Sequence, residues 1–138
     1  MINIRKAVKK DIPEIILIEK EEDDENIFLN KTELNDALQD HLTICLVAEN
    51  RKKIIGFVVS ALSPPKKSEG AIYITIVKKE ERKKGIGKML VSQALQEMKS
   101  LGVKYSEALV ENNDILSFYK KCGFKNINKS WKEMKCDL

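Results

Sequence analysis

The chain has few of the residues that build covalent or metal-held frameworks. Its three cysteines, Cys45, Cys122 and Cys136, are odd in number and include no C-x-x-C pair. That argues against a disulfide scaffold and for a reducing compartment, so a cytoplasmic location is expected. His41 is the one histidine, and a zinc site would have to be assembled from scattered residues, so no metal is expected. Long apolar runs are absent too. The longest, Ile54 to Leu62, is interrupted by Gly56 and Ser60 and falls far short of the roughly 20 residues of a membrane span. The opening residues, Met1-Ile-Asn-Ile-Arg-Lys, contain no apolar h-region, so no signal peptide is expected. Neither sign of charge dominates: 25 Lys and Arg stand against 21 Asp and Glu, a net charge of +4. Lysines alternate with glutamates along the chain, as on a mixed solvated surface. A mild positive balance suits an anionic ligand but does not by itself argue for nucleic acid. There are no repeats, low-complexity segments or internal linkers.

What is present suits one ordinary domain over residues 1–138, with 43% hydrophobic and 33% charged residues. Asn3 to Val8 alternates weakly and predicts a strand. Asp11 offers an N-cap, with Pro13 in the first turn and Glu14 three residues on. Ile12, Ile15, Ile16, Ile18 and Leu17 predict an apolar helical face reaching about Lys20. Five acids follow, Glu21 to Glu25, and then a second helix from Asn30 or Thr32 to His41. Thr43 to Glu49 and Lys53 to Leu62 predict a hairpin. Ala71 to Val77 is apolar on both faces and reads as a buried central strand. Gly85 to Leu101 reads as a helix with Ile86, Leu90, Ala94, Met98 and Leu101 on one stripe, stopped by Gly102. Lys104 to Val110 is a strand, Ile115 to Cys122 a short helix, and Phe124–Ile127 with Trp131–Cys136 a closing strand pair. The expected order is β-α-α-β-β-β-α-β-α-β-β.

Two stretches carry chemistry. The first is Arg82-Lys83-Lys84-Gly85-Ile86-Gly87-Lys88, directly after the central strand. Glycines let backbone N–H groups approach a ligand without Cβ interference. The following helix N-terminus leaves N–H groups unpaired and adds positive potential. Strand, glycine turn and helix start together suit a phosphate or pyrophosphate. Two familiar phosphate loops do not fit. A Walker A loop requires Gly where Arg82 stands, and Ser or Thr where Met89 stands. The dinucleotide G-x-G-x-x-G meets Leu90 at its third glycine. What remains is R-x-x-G-x-G, Arg82 to Gly87. The second stretch is N-x(6)-Y-x-x-x-G-F, formed by Asn112, Tyr119, Gly123 and Phe124.

These two motifs, in this order and within this element order, resemble the GNAT superfamily of N-acetyltransferases. The resemblance covers essentially the whole chain, with Ile12 to Leu42 matching only in element type. Glu107 to Phe124 is most similar to ribosomal-protein N-terminal acetyltransferases and diamine acetyltransferases. It implies an α/β (α+β) fold with a mixed, twisted, mostly antiparallel sheet of six to seven strands. About four helices flank that sheet, and its fourth and fifth strands splay apart. Acetyl-CoA is the implied co-substrate. The resemblance places its pantetheine arm along Thr75, Ile76 and Val77. It places the pyrophosphate on the amides of Arg82, Lys83, Lys84, Gly85, Ile86, Gly87 and Lys88. The implied activity is acetyl transfer to a primary amine, on a protein N-terminus, a lysine or a small amine.

The chemistry assigns roles. An attacking amine must lose a proton, the departing thiolate benefits from gaining one, and the carbonyl oxygen needs a fixed donor, for which a backbone N–H suffices. No covalent enzyme intermediate is required. Tyr119 is the expected proton donor, its alternative being a packing aromatic. Glu107 is the expected base. Its alternatives are an exposed strand position, an ion pair or a water-mediated route. Members that carry the base on the fourth strand have no match here, since Ala71 to Val77 contains no acid and Glu69 precedes it. Asn112 either contacts the cofactor or water, or caps the last helix. Glu21 to Glu25 either attracts a cationic acceptor or is a solvated helix end. Cys122 reads as packing. No membrane or nucleic-acid partner is expected. The closing strands are able to pair between copies, which leaves a homodimer open. A non-catalytic CoA-binding module of the same fold is the alternative function.

Overall fold

The computed structural model describes residues 1–22, 30–63, 68–110, 112–126 and 133–138. Its strands are β1 (Ile2–Lys6), β2 (Thr43–Asn50), β3 (Lys53–Leu62), β4 (Glu69–Val77), β5 (Tyr105–Leu109), β6 (Lys125–Asn126) and β7 (Glu133–Asp137). Its helices are α1 (Ile12–Glu22), α2 (Lys31–Gln39), α3 (Ile86–Ser100) and α4 (Asn113–Lys121). Short 3₁₀ turns precede α1 and α3. The expected element order holds. Asp23 to Glu25, Pro64 to Lys67, Glu111 and Ile127 to Lys132 lie outside the described residues.

One seven-stranded sheet runs in the order β1-β2-β3-β4-β5-β7-β6. The β2–β3 hairpin turns on Arg51 and Lys52, both with positive φ, as a primed two-residue turn requires. All neighbouring pairs are antiparallel except β4–β5, which is parallel. That parallel ladder runs only from Glu69↔Tyr105 to Ile72↔Ala108, while β3 follows β4 as far as Val77. Tyr73 to Val77 therefore presents backbone toward β5 with no ladder partner there. This is the splay that the resemblance implies. β7 sits between β5 and β6 of its own chain, so both its edges are used, and the outer strands are β1 and β6.

The sheet divides the core in two. On one face α3 lays Ile86, Leu90, Val91, Ala94, Leu95 and Met98 against β2–β5 and β7. Burying each such aliphatic contributes about 1.5–3 kcal/mol, so this face dominates the gross stabilisation. On the other face Ile12, Ile15 and Ile18 of α1 and Leu34 of α2 cover Val47, Phe57, Ile74 and Ile76. A bulge in β4 moves the strand from one face to the other. Val59 pairs with Ile74 and Ser60 with Ile72, so Tyr73 is the extra residue. Ile72 belongs to the α3 side, whereas Ile74 and Ile76 belong to the α1 side. Thr75 and Val77 are thereby turned toward α3 and α4.

Several expectations are corrected. Asp11 is not an N-cap of α1. It is buried in the preceding 3₁₀ turn, where it accepts from the Val8 N–H and from both Nη atoms of Arg5. The central strand is not buried on both faces, since burial alternates along it and Tyr73 is 57% exposed. Glu69 does not precede that strand but begins it. Leu101 is exposed beyond the last turn of α3, and Leu17 is exposed on α1. Gly102, at φ +92°, ends α3 as expected.

Candidate functional site

A groove of about 600 Å³ opens where β4 has lost its neighbour. Its floor is Thr75, Ile76 and Val77, and one wall is the glycine turn with the first turn of α3. Of the turn residues singled out from sequence, Arg82, Lys83, Gly85, Ile86, Gly87 and Lys88 line it. Lys84 does not: its Nζ pairs with the Glu81 carboxylate at 3.0 Å. The opposite wall comes from α4 and its cap, through Asn112, Asp114, Ile115, Phe118 and Lys121.

Local backbone explains why the turn takes this form. Lys83 and Gly85 have φ of +66° and +80°, which wraps the chain tightly before α3. Gly85 is the N-cap and supplies no side-chain bond; its carbonyl accepts from the Met89 N–H. The amides of Ile86, Gly87 and Lys88 thus face the groove mouth without a helical partner or a side-chain cap. An anion there satisfies them, and the helix dipole adds to the attraction. A Cβ on Gly87 would lie 3.0 Å from a ring carbon of Phe118, so glycine permits α4 to close on α3 at this point.

Arg82 has a more structural place than the motif alone suggests. Its Nε donates to the Val77 carbonyl at 3.0 Å and its Nη2 to Glu22 at 3.2 Å. Glu22 also accepts the Lys79 N–H, so the end of α1 is tied to the glycine turn. Among the described residues, Lys83, Lys88 and Lys121 are the groove-lining cations that form no salt bridge to a carboxylate. Lys121 and Glu22 were missed in the sequence. Lys121 lies two residues past Tyr119 in the second motif, and Glu22 lies within the noted acidic run.

Tyr119 is buried behind this groove. Its Oη lies 3.2 Å from Thr75 Oγ1, and its ring meets Phe118 and Phe124 edge-on at 5.0 and 5.2 Å. The bulge at Tyr73 makes the Thr75 contact possible by turning Thr75 to this face. Burial pushes the Tyr119 phenol up to about 12, against a smaller opposing effect of Thr75. The group therefore holds its proton at neutral pH, as a proton donor must. Burial likewise pushes Cys122 up to about 11 and keeps it a thiol. Asn112 caps α4, its Oδ1 accepting the Ile115 N–H, while also lining the groove.

Glu107 stands apart from Tyr119. It alternates on β5 with Ser106 and Ala108, which are buried on the α3 side, and is itself exposed on the other face. Its register partners are Ala71 on β4 and Lys135 on β7. The two strand partners place it beside the splay but not in the groove. Tyr105 shares this face. A hydrogen bond to Glu69, first among the causes, raises its phenol to about 12, and Lys135 Nζ sits 3.9 Å over its ring.

Residues 8–124 match the acetyltransferase (GNAT) family. A stretch of 83 residues is 36% identical to YvbK of Bacillus subtilis (strain 168), an uncharacterized N-acetyltransferase. That stretch is 59% of this chain and spans only 52% of the relative's length. The fold closely matches that of PaiA N-acetyltransferase from Thermoplasma acidophilum, solved with coenzyme A. Its TM-score is 0.83 and its identity 22%, covering 100% of this chain and 99% of that one. The ribosomal-protein-S18-alanine N-acetyltransferase of Escherichia coli gives a TM-score of 0.83 at 14% identity, covering 100% and 94%. The chain belongs to the GNAT acetyltransferase family.

Proposed function

We propose, from that family membership, that this chain is an acetyl-CoA-dependent N-acetyltransferase acting on a primary amine by direct attack in a ternary complex. The carrying observation is the glycine turn before α3, where a helix N-terminus without a side-chain cap opens onto a groove at the β4 splay. Bound acetyl-CoA supplies the activated acetyl thioester. The amides of Ile86, Gly87 and Lys88, with Lys83 and Lys88, hold its pyrophosphate. Unpaired backbone of Thr75 to Val77 aligns the pantetheine arm, and a β4 N–H polarises the thioester carbonyl. Tyr119 donates a proton to the leaving sulfur. Glu107, on the acceptor side of the splay, takes the amine proton through water, since among the described residues no side-chain contact joins it to the groove. Asn112 keeps its capping bond while contributing an edge of the cofactor site.

The free cysteines support a cytoplasmic location. Because β7 is paired on both edges within the chain, β1 and β6 are the outer strand edges a homodimer could pair among the described residues. The test is acetyl-CoA-dependent thiol release with primary amines, a polyamine and a basic peptide with a free N-terminus, against an N-acetylated control. Turnover with an unblocked amine supports the reading. Binding of acetyl-CoA with no turnover on any amine would mark a non-catalytic CoA-binding module instead.

A further inference from the structure

We propose that Glu22 is a positioning residue for acetyl-CoA binding, clamping the connector between β4 and the glycine turn. This role rests on the reading of the groove as the acetyl-CoA site. A carboxylate is an unexpected lining for such a groove. Glu22 lines it beside Thr75 to Val77 and the glycine turn, and by charge alone it opposes a bound pyrophosphate. Its contacts account for its presence.

The connector is the 3₁₀ turn Lys79–Glu81, which joins the groove floor to Arg82. One carboxylate holds both of its ends. Glu22 Oε2 accepts the Lys79 N–H at 3.1 Å, at the start of the turn. The turn's own N-cap, Lys78, supplies no side-chain bond, so Glu22 caps it from another element. Glu22 Oε1 accepts from Arg82 Nη2 at 3.2 Å, at the C-cap of the turn. Arg82 in turn donates from Nε to the Val77 carbonyl at 3.0 Å. That carbonyl lies on the open edge of β4. The Lys78 N–H donates to the Ile55 carbonyl at 2.9 Å, which makes Val77↔Gly56 a pair without ladder bonds. The Val77 carbonyl therefore points away from β3, toward the splay. Through Arg82, Glu22 reaches the residue that ends the groove floor.

The side chain suits a fixed role. It is 12% exposed, against 49% for Arg82. A half-exposed ion pair adds little to stability, so the effect falls on geometry rather than on folding. Glu22 is the last residue of α1, and Ile12, Ile15 and Ile18 anchor that helix independently. Glutamine is not an equivalent replacement. It offers one oxygen where two are used, and turns an N–H₂ group toward the second donor.

The sign of one substitution separates positioning from charge. The experiment is acetyl-CoA calorimetry on the wild type, Glu22→Gln, Arg82→Gln, the double variant and Glu21→Gln. If charge alone mattered, removing a carboxylate from the groove would tighten binding. The clamp predicts that Glu22→Gln weakens binding about tenfold with the melting temperature nearly unchanged. Arg82→Gln should weaken it too, and the double variant should bind no more weakly than the weaker single, because both break one linkage. Glu21→Gln removes the same charge from the exposed preceding position and should stay within about twofold of wild type. Spectra of the unliganded proteins add a signature that a general loss of stability would not give. In Glu22→Gln the ¹⁵N–¹H resonances of the Lys79 amide and Arg82 Nε should move, while the amides of Ile12 to Ile18 stay in place. Equal or tighter binding by Glu22→Gln, additive losses in the double variant, an equal loss in Glu21→Gln, or unmoved Lys79 and Arg82 resonances overturns the role and leaves the acetyl-CoA site standing. No binding by the wild type removes that site and the role with it.

Discussion

Replacing Tyr119 by Phe separates chemistry from packing. The change removes one oxygen from a buried ring that Phe118 and Phe124 hold on two sides. The ring still fills its space, so there is no cavity term. What is lost is the bond to Thr75 Oγ1, which at 3.2 Å is long for two hydroxyls. Such a bond is worth about 0.5–1.5 kcal/mol, and half-buried Thr75 can turn to water. The fall in stability should therefore be about 1 kcal/mol, or about 4 °C in Tm for a domain of this size. A general acid contributes about 10²–10⁴-fold in rate, equivalent to about 3–5 kcal/mol in the barrier. The two effects differ enough to be distinguished. With a typical stability of about 5 kcal/mol or more, losing 1 leaves almost every molecule folded. The expected result is kcat down at least a hundredfold and acetyl-CoA affinity within about twofold of wild type, with a small Tm shift. Thiol release, calorimetry and a thermal melt read these three quantities. Thr75→Val, which keeps the phenol and removes its partner, should lower kcat less than tenfold. A kcat within threefold for Tyr119→Phe, or a rate loss that tracks unfolding, would refute the assignment.

Three further expectations follow from the same geometry. Glu107→Gln should lower kcat and move its pH dependence to higher pH, because the amine must then lose its proton to solvent; an unchanged profile removes Glu107 as base. Tyr119 and Cys45 hold their protons more tightly folded than unfolded, each raised to about 12 from 10.0 and 9.0, chiefly by burial. Their stabilisation is full below the unfolded values and is lost as pH rises toward 12, with about 2–3 kcal/mol from Tyr119. Urea midpoints at pH 9, 10.5 and 11.5 should fall steadily, and a flat series would contradict the burial of both groups. Asp11 is lowered, first by its hydrogen bond with Arg5, so its contribution holds above 3.8 and disappears as pH falls below it. Arg5→Gln should destabilise the protein by about 2 kcal/mol after allowing for partial exposure of Arg5, and should reduce the acid dependence; an unaltered acid midpoint would count against the pair.

The parts of the fold legible in the sequence were those with strong period. The α3 stripe as far as Met98, the β2–β3 hairpin and the glycine turn all stand where their patterns placed them. Asp11 was misread because an N-cap and a buried ion-pair partner use the same residue type, and only the fold brings Arg5 to it. The bulge at Tyr73 was invisible for a different reason. Ile72, Ile74 and Ile76 keep perfect alternation, yet an extra residue in the ladder with β3 splits them between two cores. That bulge decides which side chains meet Tyr119. The role of Arg82 was only half legible. Its motif marks it for the glycine turn, but its partners Val77 and Glu22 come from β4 and α1. Glu107 is singled out by its awkward place mid-strand, and the strand's pairing sets it on the face away from the groove.

The central claim is that the turn before α3 binds the pyrophosphate of acetyl-CoA. Titration calorimetry of acetyl-CoA into the wild type and a Gly87→Glu variant tests it most directly. The variant adds bulk where a Cβ already lies 3.0 Å from Phe118, and adds negative charge beside amides meant for an anion. A melt and a far-ultraviolet spectrum establish that the variant is folded, and Gly87→Ala provides a milder control. The account predicts micromolar binding by the wild type, weaker binding by the alanine variant and loss of at least a hundredfold in the glutamate variant. Equal affinity in wild type and a folded Gly87→Glu protein, or no binding by the wild type, would contradict it.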